Sequence, residues 1–338
     1  MKLVIAAATK SSDVQILARI FARRRPAHVR AVLVTPLMVT RFTLRLAREL
    51  HEETGVPILF DSGGYAVQTG RLDYFEMYSR LIGLYRRERW ASWYTLPDNV
   101  PTFHDRDDGI EAKVRQTVAC SEMFYREMPD ELHERALPVA HGRTVAQVEF
   151  CLDRYARLGV RHVGFGSFGT AGRQNGRNIV TAEAFANARR LAALAGERGM
   201  TTHLFGVGSP AILPLIARTG ATSFDSASWA RSAGFGQVFL PLTRGYNVSH
   251  RSTVSSIQQG LTRDAFDRLR AGSGHDCPYC ESFETLQLSR EARAGHNLCA
   301  MMDALDIVQR KDRARMEAIY SIASPGYRAC WRRWLEDE

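Results

Sequence analysis

The sequence has no apolar run approaching the roughly 18 residues that a membrane-spanning helix needs. Its opening, MKLVIAAATKSSD, holds too short an apolar stretch for a secretory signal and meets charge at once. Cysteine is scarce, 6 in 338 residues. Without a secretory signal, those thiols are expected to be reduced or metal-bound, not paired as disulfides. Linkers, low-complexity tracts and fixed-period repeats are also missing. These absences set aside the membrane, disulfide-scaffold and repeat classes, and the expected location is cytoplasmic.

What is present is ordinary for a globular chain, 45% hydrophobic and 24% charged. The length can bury a large core as one barrel-sized domain or as two smaller ones. A net charge of +9 and a pI near 9.5 suit a polyanionic partner. An arginine-rich composition raises the pI by itself, so charge alone leaves nucleic acid an open question.

Short β-rich runs alternate with amphipathic stretches. The pattern predicts strands at 2–8, 31–35, 57–60, 91–96, 136–140, 160–165, 202–207 and 222–224, with helices at 12–24, 40–53, 72–89, 109–128, 144–158, 181–198 and 211–218. Eight strands with intervening helices is the count of a (β/α)8 TIM barrel. A doubly wound open sheet would serve most of the same pattern. The expected organisation is α/β, with a catalytic barrel over 1–250. A zinc-binding subdomain and a helical tail over 251–338 would pack on it.

In parallel α/β folds the chemistry sits at the C-terminal ends of strands. Here those ends supply Asp61, Asp98, His141, the Gly164 to Gly169 run, Gly206-Val207-Gly208 and Asp225. A carboxylate after a buried strand loses hydration unless it is paired or has a task. Asp61 and Asp225 each lie beside small residues that let a ligand approach. Their bland alternative is to cap the turns that follow.

After Asp225 the pattern breaks. Residues 238–247 read as a strand pair or a loop, and His275, Cys277 and Cys280 are followed by His296, apparently near a helix start. Two thiols and two imidazoles at this spacing suit tetrahedral, structural Zn2+. A chance Cys-x-x-Cys turn with surface histidines would look the same. Cys120, Cys151, Cys299 and Cys330 fall in helical stretches and are expected to be packing residues. The tail from Asp306 to Glu338 is helical and mixes Arg310, Lys311, Arg313, Arg315, Arg328, Arg332 and Arg333 with Tyr320, Tyr327, Trp331 and Trp334. That mixture suits phosphate contacts and base stacking, and equally a solvated face over a buried aromatic stripe. Arg23-Arg24-Arg25 and Arg86-Arg87 are similarly ambiguous.

Four segments in order, Phe-Asp-Ser-Gly-Gly-Tyr (60–65), His-Leu-Phe-Gly-Val-Gly-Ser-Pro (203–210), Phe-Asp-Ser (224–226) and the Cys/His run with His-Asn-Leu (296–298), resemble the motifs of the tRNA-guanine transglycosylase superfamily. The resemblance covers roughly residues 57 to 300. It implies a zinc-bearing (β/α)8 barrel that swaps guanine in a polynucleotide for a 7-deazaguanine. By this similarity Asp225 is the nucleophile, Asp61 the general acid/base and Asp98 the reader of the guanine edge. Tyr65 would stack on the base, with Phe205 against its opposite face. Gly164, Phe165, Gly166 and Gly206 would line the pocket, with His141 where the family has Gln.

The chemistry explains those residue types. Exchange with retention needs a carboxylate to hold C1′ covalently while one base leaves and another arrives. A second carboxyl protonates the departing base and deprotonates its replacement. A third selects N1–H and the exocyclic amine. The target base must leave its stack, and an aromatic residue replaces the lost stacking.

The departures from the family fall on substrate-reading parts: His141 for Gln, Ala66 for Gln, Thr170 for an acidic residue and His275 for the first cysteine. Beyond Asp225 only Arg231 stands near. A neutral Thr170 favours a neutral base such as 7-cyano-7-deazaguanine (preQ0), and the pattern favours DNA over tRNA. A tRNA modification enzyme of the queuosine or archaeosine type and base exchange on a small nucleotide stay as alternatives. So do a hydrolase on the same barrel and a non-catalytic nucleic-acid-binding subunit. Homodimers are common in this superfamily.

Overall fold

The computed structural model describes residues 1–7, 10–23, 28–166, 181–249 and 260–322. Ser167 to Thr170, Arg24, Arg25, Cys330 and the tail's Tyr327 to Trp334 therefore lie outside the described residues. By contacts the chain divides into two compact units. One comprises Met1–Gln15, Val29–Val207 and Arg218–Ser226, and the other Ile16–His28, Gly208–Ala217 and Ala227–Glu338.

The first unit is built on a parallel sheet. Its strands are β1 (Lys2–Ala6), β2 (Val29–Val34), β3 (Ile58–Phe60), β4 (Trp93–Thr95), β5 (Ala136–Leu137), β6 (Val139–Ala140), β7 (His162–Phe165), β8 (Thr201–Leu204) and β9 (Ser223–Ser226). Their order is β5-β4-β3-β2-β1-β9-β8-β7-β6. The two ends of this order, β5 and β6, are separated in sequence only by Pro138. The expected single strand 136–140 is thus split, because proline has no N–H for the ladder. Leu137 O still accepts from Leu96 N at 3.0 Å, and Pro138 O from Gly164 N at 2.8 Å. One short segment therefore bonds to opposite edges of the sheet and nearly closes it into a barrel.

Side-chain alternation sorts the strand residues onto two faces. Val4 and Ala6, Ala31 and Leu33, Leu59 and Leu137 cluster with Trp93 and Phe205 on one face. Leu3, Ile5, Val32, Val34, Ile58 and Phe60 are also buried, on the opposite parity. Burial on both faces is why these strands read as continuous apolar runs. The helices between strands start where the sequence caps them. Thr40 Oγ1 accepts from Thr43 N ahead of Arg41–Thr54, Asp73 accepts from Phe75 N and Glu76 N, and Thr144 forms a capping box with Gln147. Arg41–Thr54 stops at Gly55 (φ 65°), a left-handed position that suits glycine.

In the second unit Gln237–Val238 pairs antiparallel with Tyr246–Asn247, so residues 238–247 contain a strand pair. Helices follow at Arg263–Ser273, Phe283–Leu288, Arg290–Gln309 and Arg313–Ile322. His296 lies well inside Arg290–Gln309 and not near a helix start, because Ser289 caps that helix seven residues earlier. The tail helix is interrupted after Gln309, where Lys311 takes a left-handed φ of 52°. Among the described residues, no helix is long and apolar enough to cross a membrane.

Candidate functional site

The C-terminal ends of β3, β4 and β9 deliver Asp61, Asp98 and Asp225. Asp61 follows Phe60 and is fixed by its own backbone, whose N–H donates to Val34 O at 2.9 Å. Its Oδ2 accepts from Thr35 Oγ1 at 2.9 Å and from Gly63 N at 3.3 Å. Burial first, and then the negative charge of Asp98, push its pKa up to about 7. Asp225 adds to the rise, and the Thr35 and Gly63 hydrogen bonds oppose it. A carboxyl poised there can give and take a proton near neutrality.

Asp98 is buried. It accepts from Ser62 Oγ and meets His141 Nε2 at 3.0 Å. The Ser62 hydroxyl in turn accepts from Gly64 N at 3.1 Å. Gly64 must be glycine for Asp98 to sit here, since a Cβ would fall 2.5 Å from Asp98 Oδ1. His141, a candidate pocket residue, has its Nε2 on Asp98.

Asp225 is also buried, and its Oδ1 accepts from Gly206 N at 2.7 Å. Phe205 lies edge-on to His203, with ring centroids 4.5 Å apart. Its ring covers Gly164 so closely that any Cβ there would collide with it. Gly166 stands beside His141 in the same way. Tyr65, on the short helix Gly64–Gln68, is 37% exposed with the Arg71 guanidinium 5.5 Å from its ring centroid. The sheet thus gathers Asp61, Asp98, His141, Gly164, Gly166, Phe205, Gly206 and Asp225 at one set of strand ends, with Tyr65 four residues beyond Asp61. Phe165 differs. It is fully buried on the parity opposite Gly164, so its ring belongs to the core and only its carbonyl, accepting from Phe205 N at 2.8 Å, serves this end.

Thr35, Ser62 and Ser223 were not singled out from sequence, although each is a polar residue at a strand terminus, the only signal that could have marked them. Arg30 falls just outside the expected strand 31–35, whereas β2 runs Val29–Val34 and includes it.

The second unit carries a different cluster. His275, Cys277, Cys280 and His296 are buried, and their ligand atoms all lie within 4.8 Å of one another. Cys277 Sγ and Cys280 Sγ are 3.3 Å apart, and they stand 3.5 and 3.3 Å from His296 Nδ1. Metal–ligand bonds of about 2.0–2.3 Å in a tetrahedron put neighbouring ligands roughly 3.3–3.8 Å apart. The outward nitrogens are anchored, His275 Nδ1 on Asp303 Oδ2 at 2.8 Å and His296 Nε2 on Phe239 O at 2.7 Å. His275 Nε2 is buried with no hydrogen-bond partner. An orphaned imidazole nitrogen beside two thiols, with every outer nitrogen held, fits a metal ion. Asn297 is structural: it accepts from Phe239 N and donates to the carbonyls of Trp229 and Gln237. Cys120 and Cys151 are buried, and Cys299 packs partly buried against the Cys277 and Cys280 core.

On the outer wall of the first unit a groove of about 520 Å³ runs between the helices Arg41–Thr54 and Tyr74–Arg87. Arg41, Arg45, Arg48, Arg87 and Trp90 line it, with Glu88 as its one carboxylate. Glu88 is engaged by Trp90 Nε1 at 2.8 Å.

Neither the protein-family models nor the curated proteins contain a match to this chain.

Proposed function

We propose that the chain is a guanine transglycosylase on a (β/α)8 barrel, exchanging guanine in a polynucleotide for a 7-deazaguanine such as 7-cyano-7-deazaguanine, with DNA preferred over tRNA. One observation carries the proposal. Three strand-end aspartates share one site, and their environments push them toward different tasks. Asp61 is raised to about 7, while Asp225 is held by a backbone N–H and Asp98 by Ser62 and His141. A carboxyl raised toward neutrality beside two hydrogen-bonded carboxyl groups suits one site to supply both a proton donor and a nucleophile.

In the first half-reaction an Asp225 carboxylate oxygen bonds to C1′ as the bond to the guanine nitrogen breaks. Protonated Asp61 gives its proton to the departing base. In the second, Asp61 takes the N9 proton of the incoming base, whose nitrogen bonds to C1′ and releases Asp225. Protons and electron pairs balance over the cycle, and C1′ keeps its configuration. Asp98 selects the base by accepting from N1–H and the exocyclic amine. Tyr65 and Phe205 offer faces for an extruded base. The arginine-lined groove and the net positive charge support a polyanionic partner. The Cys/His cluster supports Zn2+ held by His275, Cys277, Cys280 and His296, with four protein ligands and therefore a structural role.

The test is an exchange assay. Labelled 7-cyano-7-deazaguanine is incubated with protein and, in parallel, duplex DNA, single-stranded DNA and bulk tRNA, with Asp225→Ala as control. Label entering DNA and vanishing in the variant is the expected result. Label entering tRNA alone overturns the choice of polymer. Release of guanine without incorporation makes the enzyme a hydrolase, and label in no polymer overturns exchange.

A further inference from the structure

The barrel-like sheet holds a cation with no carboxylate beside it. Arg30 is part of β2, with its guanidinium 4.9 Å from the Trp93 ring centroid. Its Nη1 donates to Ser223 Oγ at 3.2 Å, it makes no ion pair among the described residues, and burial pushes its pKa down. Ser223 Oγ lies 3.0 Å from His203 Nδ1. His203 is 4% exposed. Its Nε2 approaches Asp225 Oδ1 at 3.5 Å without closing a hydrogen bond. Arg30, Ser223 and His203 thus form a chain through the sheet that ends on the nucleophile, and the exchange chemistry gives the first three no task.

Counting protons along the chain fixes a tautomer. A guanidinium only donates, so Ser223 Oγ is the acceptor of the Arg30 bond. Ser223 is buried, and among the described residues its hydroxyl hydrogen has one acceptor, His203 Nδ1. Were Nδ1 protonated, that hydrogen would be buried without a partner. Nδ1 is therefore bare and the proton sits on Nε2. The other end gives the same answer, since a bare Nε2 would turn its lone pair toward a carboxylate oxygen.

We propose that Arg30 and Ser223 hold His203 as the Nε2–H tautomer, and that His203 is a positioning residue for Asp225. Gly206 N–H and His203 Nε2–H both address Oδ1. Oδ2, which carries no hydrogen bond among the described residues, is then the oxygen presented to C1′. The 3.5 Å gap closes to a hydrogen bond when substrate seats the carboxylate, as site hydrogen bonds commonly tighten on loading. The tautomer stands on geometry alone; the positioning role rests on the exchange reaction proposed above.

Nitrogen-15 NMR of histidine-labelled, metal-loaded full-length protein tests the tautomer, with His203→Gln identifying the resonances. The expected result is a bare Nδ1 and protonated Nε2, with the preference lost in Ser223→Ala and weakened in Arg30→Met. A protonated Nδ1 in the unmodified protein overturns the proposal. Kinetics test the role. His203→Leu should lower kcat about 100-fold with KM nearly unchanged, the scale of a misplaced reacting group. His203→Gln, which keeps a donor, should recover most of that loss. Equal kcat for the two variants overturns positioning. A correct tautomer in a protein that exchanges no base overturns the exchange reaction and leaves the hydrogen-bond assignment supported.

Discussion

The aspartates of the first unit and the Cys/His cluster of the second are both gatherings of buried or half-buried ionisable groups, yet they are finished to opposite degrees. Around His275, Cys277, Cys280 and His296 the outward imidazole nitrogens are tied down and the remaining donor atoms converge. Nothing is left over except a position that could hold a metal ion. Around Asp61, Asp98 and Asp225 carboxyls face one another out of water, and burial first, with the charge of Asp98 behind it, lifts the pKa of Asp61 to about 7. A cluster that satisfies itself holds a fold together, whereas one that leaves a charge unsettled stores the capacity to react.

That contrast predicts effects of opposite sign. Removing metal with a chelator, or replacing Cys277 with Ser, should destabilise the protein most. Structural zinc contributes binding free energy directly to folding, so a loss of several kcal/mol, on the order of 5 or more, is expected. Metal analysis of the purified protein and thermal unfolding with and without chelator would show it. An unchanged melting temperature on metal removal would place the second cluster with the first, as a site and not a staple.

Asp61→Asn should do the reverse. A carboxyl whose folded pKa is about 7 and whose unfolded value is about 4 favours the protonated form in the native state. That contribution is complete below about pH 4 and is lost as pH rises through about 7, so the native protein weakens across this window. The amide cannot ionise. Asp61→Asn should therefore be the more stable protein at about pH 8, by roughly 2–4 kcal/mol at about 1.36 kcal/mol per pKa unit, while exchange falls about 100-fold or more. Denaturant unfolding of both proteins at about pH 4 and about pH 8 would decide it. Equal differences at the two pH values would mean that Asp61 carries no unsettled charge.

The two regions were also legible to different extents. The Cys/His cluster was readable because three of its members lie within six residues and the fourth follows sixteen residues after Cys280. Asp61, Asp98 and Asp225 were readable as strand ends, since apolar runs stop at each. Their meeting depends on the order of the sheet, and Pro138, which splits the strand at its closing point, looked from sequence like an ordinary strand residue. The resemblance implies Phe165 as a pocket residue along with Gly164 and Gly166. The two-residue period of a strand sends its ring the other way, and that parity could have been counted in advance. His203 was visible only as the start of a segment, because its partner Ser223, and Arg30 behind Ser223, are 20 and 173 residues away.

The smallest effect offers the finest distinction. Thr35 supports Asp61 much as Asp303 supports His275, by one hydrogen bond to a group of the cluster. In a finished cluster, losing such a bond only loosens a ligand. In an unsettled one it moves a pKa. The Thr35 hydroxyl stabilises ionised Asp61 and so opposes the upward push of burial. Thr35→Val keeps the shape and removes that bond, so the pKa of Asp61 should rise further, by up to about one unit. In the proposed exchange, formation of the glycosyl-enzyme uses protonated Asp61, so its single-turnover rate should fall with rising pH above about 7. In the variant that descending limb should move to higher pH while the plateau below it changes little. A limb that stays in place, or moves lower, would mean that Asp61 is not the proton donor and that its raised pKa is incidental to the chemistry of the site.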